Sequence, residues 1–283
     1  MKNIRRFYLV VAIMVLVVGS SGCMAMEMGV EEMEMGESIG FDGRALFNQN
    51  HVEPNGLPDN GLPDNGLPDN GLPSSTVDTA WGTWLNDPTR GEANEVLMKY
   101  LVKCALDSGE AASYDDGSTT FTWPGRVGLA STWKDEAMSP TQRKWVSACL
   151  ASLVNEAGVS ITISQRGLTG TDIDNMESGE ATTYTQMEGA YFGDVFDDDV
   201  KLYSCMGDGY IYNATANEGR KCALDDDDYC LPIDNVGLCS DVCANSETRP
   251  AYNNDKIYYN CDPDGAGTGP TYAEVVTIYL DPS

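Results

Sequence analysis

The sequence has little positive charge and almost no histidine. Of its 283 residues, 17 are lysine or arginine and 44 are aspartate or glutamate, which gives a formal net charge of −27. Nucleic acids and anionic membrane surfaces attract basic protein faces, so we expect no nucleic-acid partner. The one histidine, His51, lies in a segment without apolar periodicity, which excludes serine–histidine and cysteine–histidine catalysis from the remaining chain.

Phosphate-binding motifs and long apolar runs are also absent. No Gly-x-Gly-x-x-Gly or P-loop pattern occurs. The longest apolar run covers residues 7–18, whereas a membrane-spanning helix needs about 20 residues. The sequence therefore favours a non-catalytic protein. A hydrolase that uses paired carboxylates stays open as an alternative, because so many carboxylates are present.

The N-terminal segment resembles the signal peptide of bacterial lipoproteins. Lys2, Arg5 and Arg6 form a positively charged start, and residues 7–18 have the length of a signal-peptide core. A lipobox-like sequence follows directly, Gly19-Ser20-Ser21-Gly22-Cys23, in which Ser20 stands where the family usually has leucine.

This resemblance implies that residues 1–22 are removed and that the Cys23 thiol carries a lipid. The membrane is then a partner through Cys23, and the protein is extracytoplasmic, anchored in the envelope at the outer membrane or cell surface. The residue after Cys23 is not aspartate, which in the lipoprotein family is compatible with export to the outer membrane. Ordinary secretory cleavage is the alternative.

The other eight cysteines predict four disulfide bonds. An even number leaves no thiol unpaired, and oxidised cysteines are typical of extracytoplasmic proteins. The sequence does not choose among the fifteen pairings of the last six. The eight are Cys104, Cys149, Cys205, Cys222, Cys230, Cys239, Cys243 and Cys261.

Residues 23–76 predict a disordered tether, because they contain few aromatic residues and no apolar period. The pentad Asn-Gly-Leu-Pro-Asp repeats over residues 55–73 and favours a kinked spacer. Five methionines near residue 24 alternate with glutamates. Thioether sulfur is a good ligand for Cu(I), so these residues are candidates for copper binding. A low-complexity tether without a metal is the alternative. The five methionines are Met24, Met26, Met28, Met33 and Met35.

Residues 77–170 contain all five tryptophans and predict an α+β domain. Apolar residues recur at helical spacing near 89–106 and 140–157, and each helix places one cysteine on its apolar face. We therefore expect a bond between Cys104 and Cys149, with two buried thiols as the alternative. Such a bond is worth roughly 3–5 kcal/mol.

Apolar residues alternate with threonine or serine at 119–123 and 159–163, which predicts two half-buried strands. A two-stranded sheet is unstable alone, so residues 171–283 must add strands, including one at 276–280. The expected fold class is α+β: two packed helices, a small, mostly antiparallel sheet, and a disulfide-rich loop and strand extension.

Residues 171–283 hold 23 acidic residues against five basic ones, and their aspartates are candidates for calcium binding. Asp262 and Asp264 place hard oxygen ligands on a glycine turn, although the loop fails as an EF-hand because its twelfth position is Ala273. A site that joins them with a second acidic run stays open, and solvated surface is the alternative. That run is either Asp225, Asp226, Asp227 and Asp228 or Asp197, Asp198 and Asp199.

This half is also rich in tyrosine, and tyrosines beside carboxylates suit glycan or protein recognition. Cross-strand packing is the alternative. The predicted function is a non-catalytic cell-envelope lipoprotein that binds or scaffolds at the bacterial surface, with an extracytoplasmic metal-binding protein as the alternative. The aromatic candidates are Tyr184, Tyr191, Phe192, Tyr210, Tyr212, Tyr252, Tyr258 and Tyr259.

Overall fold

The computed structural model describes part of the chain, all of it within the compact unit Ala45–Ser283. The described residues are 52–54, 57–58, 85–86, 91–115, 119–155, 162–174, 176–197, 200–210, 233–250, 254–265, 267 and 269–282. Their helices are α1 (Gly91–Ala105), α2 (Pro140–Ser152), α3 (Glu180–Thr183) and α4 (Cys239–Val242), with a 3₁₀ helix at Ser131–Lys134. Their strands are β1 (Val52–Pro54), β2 (Leu57–Pro58), β3 (Ala111–Asp115), β4 (Thr120–Pro124), β5 (Val154–Asn155), β6 (Thr162–Arg166), β7 (Gln186–Asp194), β8 (Lys201–Met206), β9 (Ile233–Leu238), β10 (Cys243–Arg249), β11 (Asp255–Cys261) and β12 (Val276–Leu280).

The main sheet has six strands in the order β1-β6-β12-β7-β8-β9. Its pairs are antiparallel except β8 with β9, so the predicted α+β class and mostly antiparallel sheet are confirmed. The strand predicted at 276–280 is present as β12 and lies between β6 and β7. The last strand of the chain therefore joins strands from both of the regions distinguished in the sequence.

The two long helices form as their patterns predict. The apolar stripe of α1, including Leu97 and Leu101, is fully buried. Helix α2 begins with a capping box in which the Ser139 hydroxyl accepts a hydrogen bond from the backbone of Gln142, whose side chain accepts one from the backbone of Ser139. Cys104 of α1 and Cys149 of α2 are bonded, so the predicted disulfide is confirmed.

Helix α2 ends earlier than predicted, at Ser152 rather than at residue 157. The next residues form β5, which pairs in parallel with Leu57–Pro58. A tertiary strand pairing thus takes residues that would otherwise continue the helix. Strand β4 also differs from expectation, because it pairs with β3 in a separate two-stranded sheet instead of joining the main sheet.

The predicted disorder of residues 23–76 is wrong at two short strands. Val52–Pro54 pairs antiparallel with Thr162–Ser164 at the edge of the main sheet, and Leu57–Pro58 pairs with β5. Without β1, β6 would be the edge strand and would offer unpaired backbone groups to a nearby extended segment. Pro54 is tolerated because β1 is itself the edge strand of the sheet. The pentad region therefore contributes backbone to the fold where its first repeat lies.

Both faces of the main sheet are covered. Tyr191 of β7 packs in the core cluster that includes α1 and α2, whereas its neighbours Ala190 and Phe192 pack with Tyr258 and α4 on the other face. At the end of the span predicted as a half-buried strand, Thr162 is exposed and Ile163 is buried, as expected, but β6 then stays buried from Ile163 to its last residue, Arg166. The polar side chains of β6 therefore lie in the interior, where each needs a partner.

Two further disulfides hold the second half of the chain together. Cys205 of β8 is bonded to Cys239 of α4, and Cys243 is bonded across the β10–β11 pair to Cys261. Among the described residues, neither long helix has the length and apolar character needed to span a bilayer.

Candidate functional site

A polar cleft of about 500 Å³ opens where strands β6, β7 and β12 of the main sheet, the turn after β8 and strand β11 come together. This volume is within the range of about 300–1,000 Å³ typical of small-ligand pockets. We call it the Arg166–Asp255 cleft after the two buried charges in its wall. Its lining includes Arg166, Tyr184, Asp208, Asp255, Lys256 and Tyr279.

The strands fix the wall of the cleft through their register. Tyr279 of β12 pairs with Ser164 of β6, which places Arg166, two residues further along β6, beside the Tyr279 ring. The guanidinium lies 3.8 Å from the ring centroid, a cation–π contact in a desolvated setting. The Tyr279 hydroxyl donates to the Lys256 carbonyl at 3.0 Å and accepts from the Lys256 N–H at 2.7 Å. This pair of bonds attaches β11 to β12.

The Arg166 side chain is 1% exposed, and its hydrogen bonds are directed into the protein. Nε donates to the Ser164 hydroxyl at 2.9 Å, and Nη2 donates to the Tyr184 carbonyl at 2.7 Å. Nη1 lies 3.6 Å from Asp255 Oδ2. Burial lowers the pKa of Arg166, and the negative charge of Asp255 opposes that effect. Arg166 is therefore a fixed internal cation rather than a free anion-binding group.

Asp255 joins Arg166 to a second buried arginine. Asp255 Oδ2 accepts from Arg249 Nη2 at 3.0 Å, and Arg249 Nη1 donates to Asp174 Oδ1 at 2.7 Å. Burial raises the pKa of Asp255, although Arg249 and Arg166 act in the opposite direction. Asp255 Oδ1 is buried and has no hydrogen-bond partner among the residues that the structure describes. A lone buried acceptor is unfavourable, and the two arginines that contact the other oxygen of the carboxylate oppose this effect.

Glu180 extends the same buried network behind the wall of the cleft. Its carboxylate accepts from the Ser164 hydroxyl and, at 3.0 Å, from the backbone N–H of Glu177. Burial raises the pKa of Glu180, while these two hydrogen bonds lower it. Ser164 is fully buried and Glu180 is 3% exposed. This serine–carboxylate pair is therefore inaccessible to a substrate in the cleft.

The rim of the cleft carries an exposed ion pair. Lys256 Nζ lies 3.0 Å from Asp208 Oδ2, and the Tyr258 hydroxyl donates to the same oxygen at 3.1 Å. Desolvation alone would raise the pKa of Asp208, but hydrogen bonds from Lys256, Ser240 and Tyr258 outweigh it and lower the pKa. Hydrogen bonds with Tyr258 and Asp208 likewise outweigh desolvation and raise the pKa of Lys256. Both rim charges are therefore ionised at neutral pH.

The charges that line the cleft balance one another. Arg166 and Lys256 are positive, Asp255 and Asp208 are negative, and each contacts an opposite charge. A balanced cleft is unusual in a chain whose net charge is −27. The arrangement is suited to hydrogen bonding with a ligand and has no concentrated field for steering an ion.

The structure places six of the eight predicted disulfide cysteines in three bonds away from the cleft. Cys239 and Cys243 are both bonded, so neither offers a thiolate to a metal ion. The lipidation candidate Cys23, the remaining cysteines Cys222 and Cys230, the methionines of the copper hypothesis and Asp225–Asp228 all lie outside the described residues.

Asp262 organises the backbone of its own loop. Its carboxylate accepts backbone hydrogen bonds from Asp264 at 3.0 Å, Gly267 at 3.0 Å and Gly269 at 2.9 Å. These three donors close the loop around the side chain. The calcium site that the sequence suggests also needs a second acidic run, and residues 225–228 and 198–199 lie outside the described residues, so it stays a prediction. Within the described part of the chain, no group of three acidic, cysteine or histidine side chains is arranged to hold a metal.

Of the two interpretations of the tyrosine-rich half, packing holds for most of the aromatic residues that the structure describes. Tyr191 and Phe192 are fully buried, and Tyr258 and Tyr210 are buried as well. Packing between strands thus explains most of the aromatic residues. Tyr259 is half-buried, whereas Tyr184 is buried and lines the cleft. Two more of these candidates, Tyr212 and Tyr252, lie outside the described residues.

Sequence reasoning did not identify Arg166, Arg249 or Asp255. The scarcity of basic residues was a signal that could have identified Arg249. Residues 171–283 contain only five basic residues, and Arg249 and Lys256 are two of them. An arginine directly after an apolar strand pattern, as at Arg166, is a further signal. In a strongly acidic chain, a cation inside a strand is a candidate for a buried ion pair.

Comparisons of the chain with protein-family models, with curated proteins and with solved structures found no match in any of the three. The cleft and its charged network are therefore the basis on which we assign a function.

Proposed function

We propose that the protein is a non-catalytic lipoprotein of the bacterial envelope that binds a ligand in the Arg166–Asp255 cleft. The observation that carries this proposal is a polar cleft whose charged side chains are already fixed by hydrogen bonds. Preorganised polar groups favour binding, because little side-chain freedom is lost when the ligand arrives. The cleft offers no accessible nucleophile paired with a base among the described residues, which argues against catalysis by covalent attack.

The proposed location is supported by the chemistry of the cysteines. Three disulfides lie in buried parts of the domain, and such bonds persist in oxidising compartments. Pairing the remaining Cys222 with Cys230 would leave Cys23 as the only cysteine free to carry a lipid, in agreement with the lipobox-like segment.

The anchor is tested by fractionating bacteria that express the full chain with Cys23→Ser. We expect this variant to leave the membrane fraction and appear in soluble form. Ser20→Leu is the matched control, because it restores the residue usual in lipoboxes and should keep the protein on the membrane. An unchanged distribution of Cys23→Ser would refute the lipid anchor.

Binding is tested by hydrogen–deuterium exchange of the detergent-solubilised protein with and without a bacterial envelope extract. We expect slower exchange in the backbone that borders the cleft, at residues 181–187 and 254–256, where the ligand would cover it. The 3₁₀ helix Ser131–Lys134, which contributes no residue to the cleft, is the internal control. Unchanged exchange at the cleft would contradict the proposal.

A carboxylate hydrolase is a second candidate, favoured by one observation. The environment raises the pKa of Asp255 and lowers that of Asp208, and an acid and a base with separated pKa values are the parts of such an enzyme. The two arginines beside Asp255 weaken this reading, since they stabilise its ionised form. Turnover of aryl glycosides that Asp208→Asn abolishes without unfolding the protein would favour the hydrolase over the binding protein.

A further inference from the structure

We propose that the Arg166–Asp255 cleft binds a neutral, polyhydroxylated ligand, such as a saccharide unit. This inference rests on the binding function proposed above and specifies the class of ligand. It follows from three properties of the cleft: its balanced charge, its mixture of hydrogen-bond donors and acceptors, and its small apolar surfaces.

The balanced charge argues against an ionic ligand. Arg166 is matched by Asp255 at 3.6 Å, and Lys256 is matched by Asp208 at 3.0 Å. A bound anion would compete with a carboxylate for one of these cations, and a bound cation would compete for one of these carboxylates. Either ligand would leave a charge of the cleft without its present partner, which is unfavourable most of all at the buried pair.

The uncharged groups of the rim suit hydroxyl groups. Thr185 and Asn254 are exposed on the lining, and the lining also includes Gln186. Amide and hydroxyl side chains both donate and accept hydrogen bonds, as each sugar hydroxyl does. The exposed Lys256–Asp208 pair adds a charged donor and a charged acceptor, whose side chains are 33% and 44% exposed. A purely apolar ligand would desolvate all of these groups without compensation.

Small apolar surfaces lie among the polar groups. Ala181, Met187 and Pro282 line the cleft together with Tyr184. A sugar ring has C–H groups as well as hydroxyls, so it matches a wall on which short apolar and polar surfaces alternate. Neither an inorganic ion nor a hydrocarbon chain would contact both the apolar and the polar surfaces of this wall favourably.

The test uses three sugars that differ mainly in charge: glucose, cationic glucosamine and anionic glucuronate. Galactose and mannose extend the neutral set. Binding to the full chain in detergent is measured by saturation-transfer NMR, which detects weak complexes. We expect at least one neutral sugar to bind more tightly than both charged ones. Tighter binding of a charged sugar, or no binding of any neutral sugar, would overturn the inference.

Two matched substitutions locate the sugar on the protein. Ala181→Phe fills the cleft from α3, whereas Thr183→Phe adds the same ring on that helix at an exposed position outside the lining. We expect Ala181→Phe to weaken binding of the neutral sugar by about tenfold or more and Thr183→Phe to leave it unchanged. Equal effects of the two substitutions would show that the sugar binds elsewhere and would overturn the inference.

A third substitution tests the inference that charge balance excludes ionic ligands. Asp208→Asn gives the lining a net positive charge, so glucuronate should gain affinity relative to glucose. No gain would contradict the role assigned to charge balance. Failure of the neutral-sugar test is distinguishable from failure of the proposed function, because protection of the cleft by the envelope extract reports binding of any ligand class.

Discussion

The clearest consequence of the buried network is the effect of replacing Asp255 by asparagine. Asp255→Asn keeps the shape of the side chain and removes the charge that lies 3.0 Å from Arg249 and 3.6 Å from Arg166. Both arginine side chains are almost fully buried, at 5% and 1% exposure. Arg249 keeps Asp174 as an ionic partner, but among the described residues Arg166 keeps two neutral hydrogen-bond acceptors, the Ser164 hydroxyl and the Tyr184 carbonyl.

Removing one member of a buried ion pair costs about 3–5 kcal/mol, because the remaining charge stays desolvated. A domain is stabilised by only about 5–15 kcal/mol in total, so we expect Asp255→Asn to remove a large fraction of the free energy of unfolding. Asp208→Asn is the matched control, since it removes a carboxylate from the exposed ion pair with the neighbouring Lys256. Exposed pairs contribute about 0–1 kcal/mol, so the control should stay near wild type.

The assay is equilibrium urea unfolding at neutral pH, followed by tryptophan fluorescence, without reductant so that the disulfides stay intact. We expect a much lower midpoint for Asp255→Asn at an unchanged denaturant slope. Equal midpoints for the two variants would refute the reasoning, because they would show that Asp255 is no more important to stability than a surface charge.

Three further predictions concern pH and the cysteines. Burial raises the pKa of Glu180, so the folded protein binds a proton there more readily than the unfolded chain does, and stability should increase as the pH is lowered from 7 towards the ordinary glutamate value of 4.5. Glu180→Gln should flatten this dependence in urea titrations, and a dependence that this variant leaves unchanged would contradict the prediction. The double variant Cys104→Ala, Cys149→Ala removes a disulfide between residues 45 apart in sequence. In the chain-entropy model its free energy of unfolding should fall by about 4 kcal/mol, which thermal and urea unfolding will check. A fall below about 1 kcal/mol would contradict that model here. Four disulfides require a mass gain of eight hydrogens on reduction, measured by intact-mass spectrometry, and a gain of six would show that Cys222 and Cys230 are unpaired.

The helices were predictable because their signals are local. The stripe of Leu97, Leu101 and Cys104 and the capping box at Ser139 each depend on residues within a few turns of one another. The bond between Cys104 and Cys149 followed from the same patterns, since each helix buries one cysteine. Strand β12 was predictable from its alternation, but its place in the centre of the sheet was not.

The rest depended on contacts between distant residues. Val52–Pro54 has no strand pattern of its own, and its pairing depends on the free edge of β6. The three buried polar residues that end β6, Ser164, Gln165 and Arg166, resemble a solvent-facing end of a strand in the sequence. Their burial depends on partners such as Glu180 and Asp255, which come much later in the chain. The cleft was therefore beyond prediction from periodicity, because it consists of charges that each look exposed when taken alone.

The position of β12 constrains the order in which the molecule can be built. Strands β6 and β7 do not pair with each other, and each meets β12, which ends at Leu280, three residues before the end of the chain. A nascent chain therefore cannot close this sheet from the N-terminus onward, and its central hydrogen bonds must wait until residues 276–280 have been synthesised. Deletion of Val276–Leu280 would divide the sheet in the middle, so such a product would expose two strand edges to quality-control proteases.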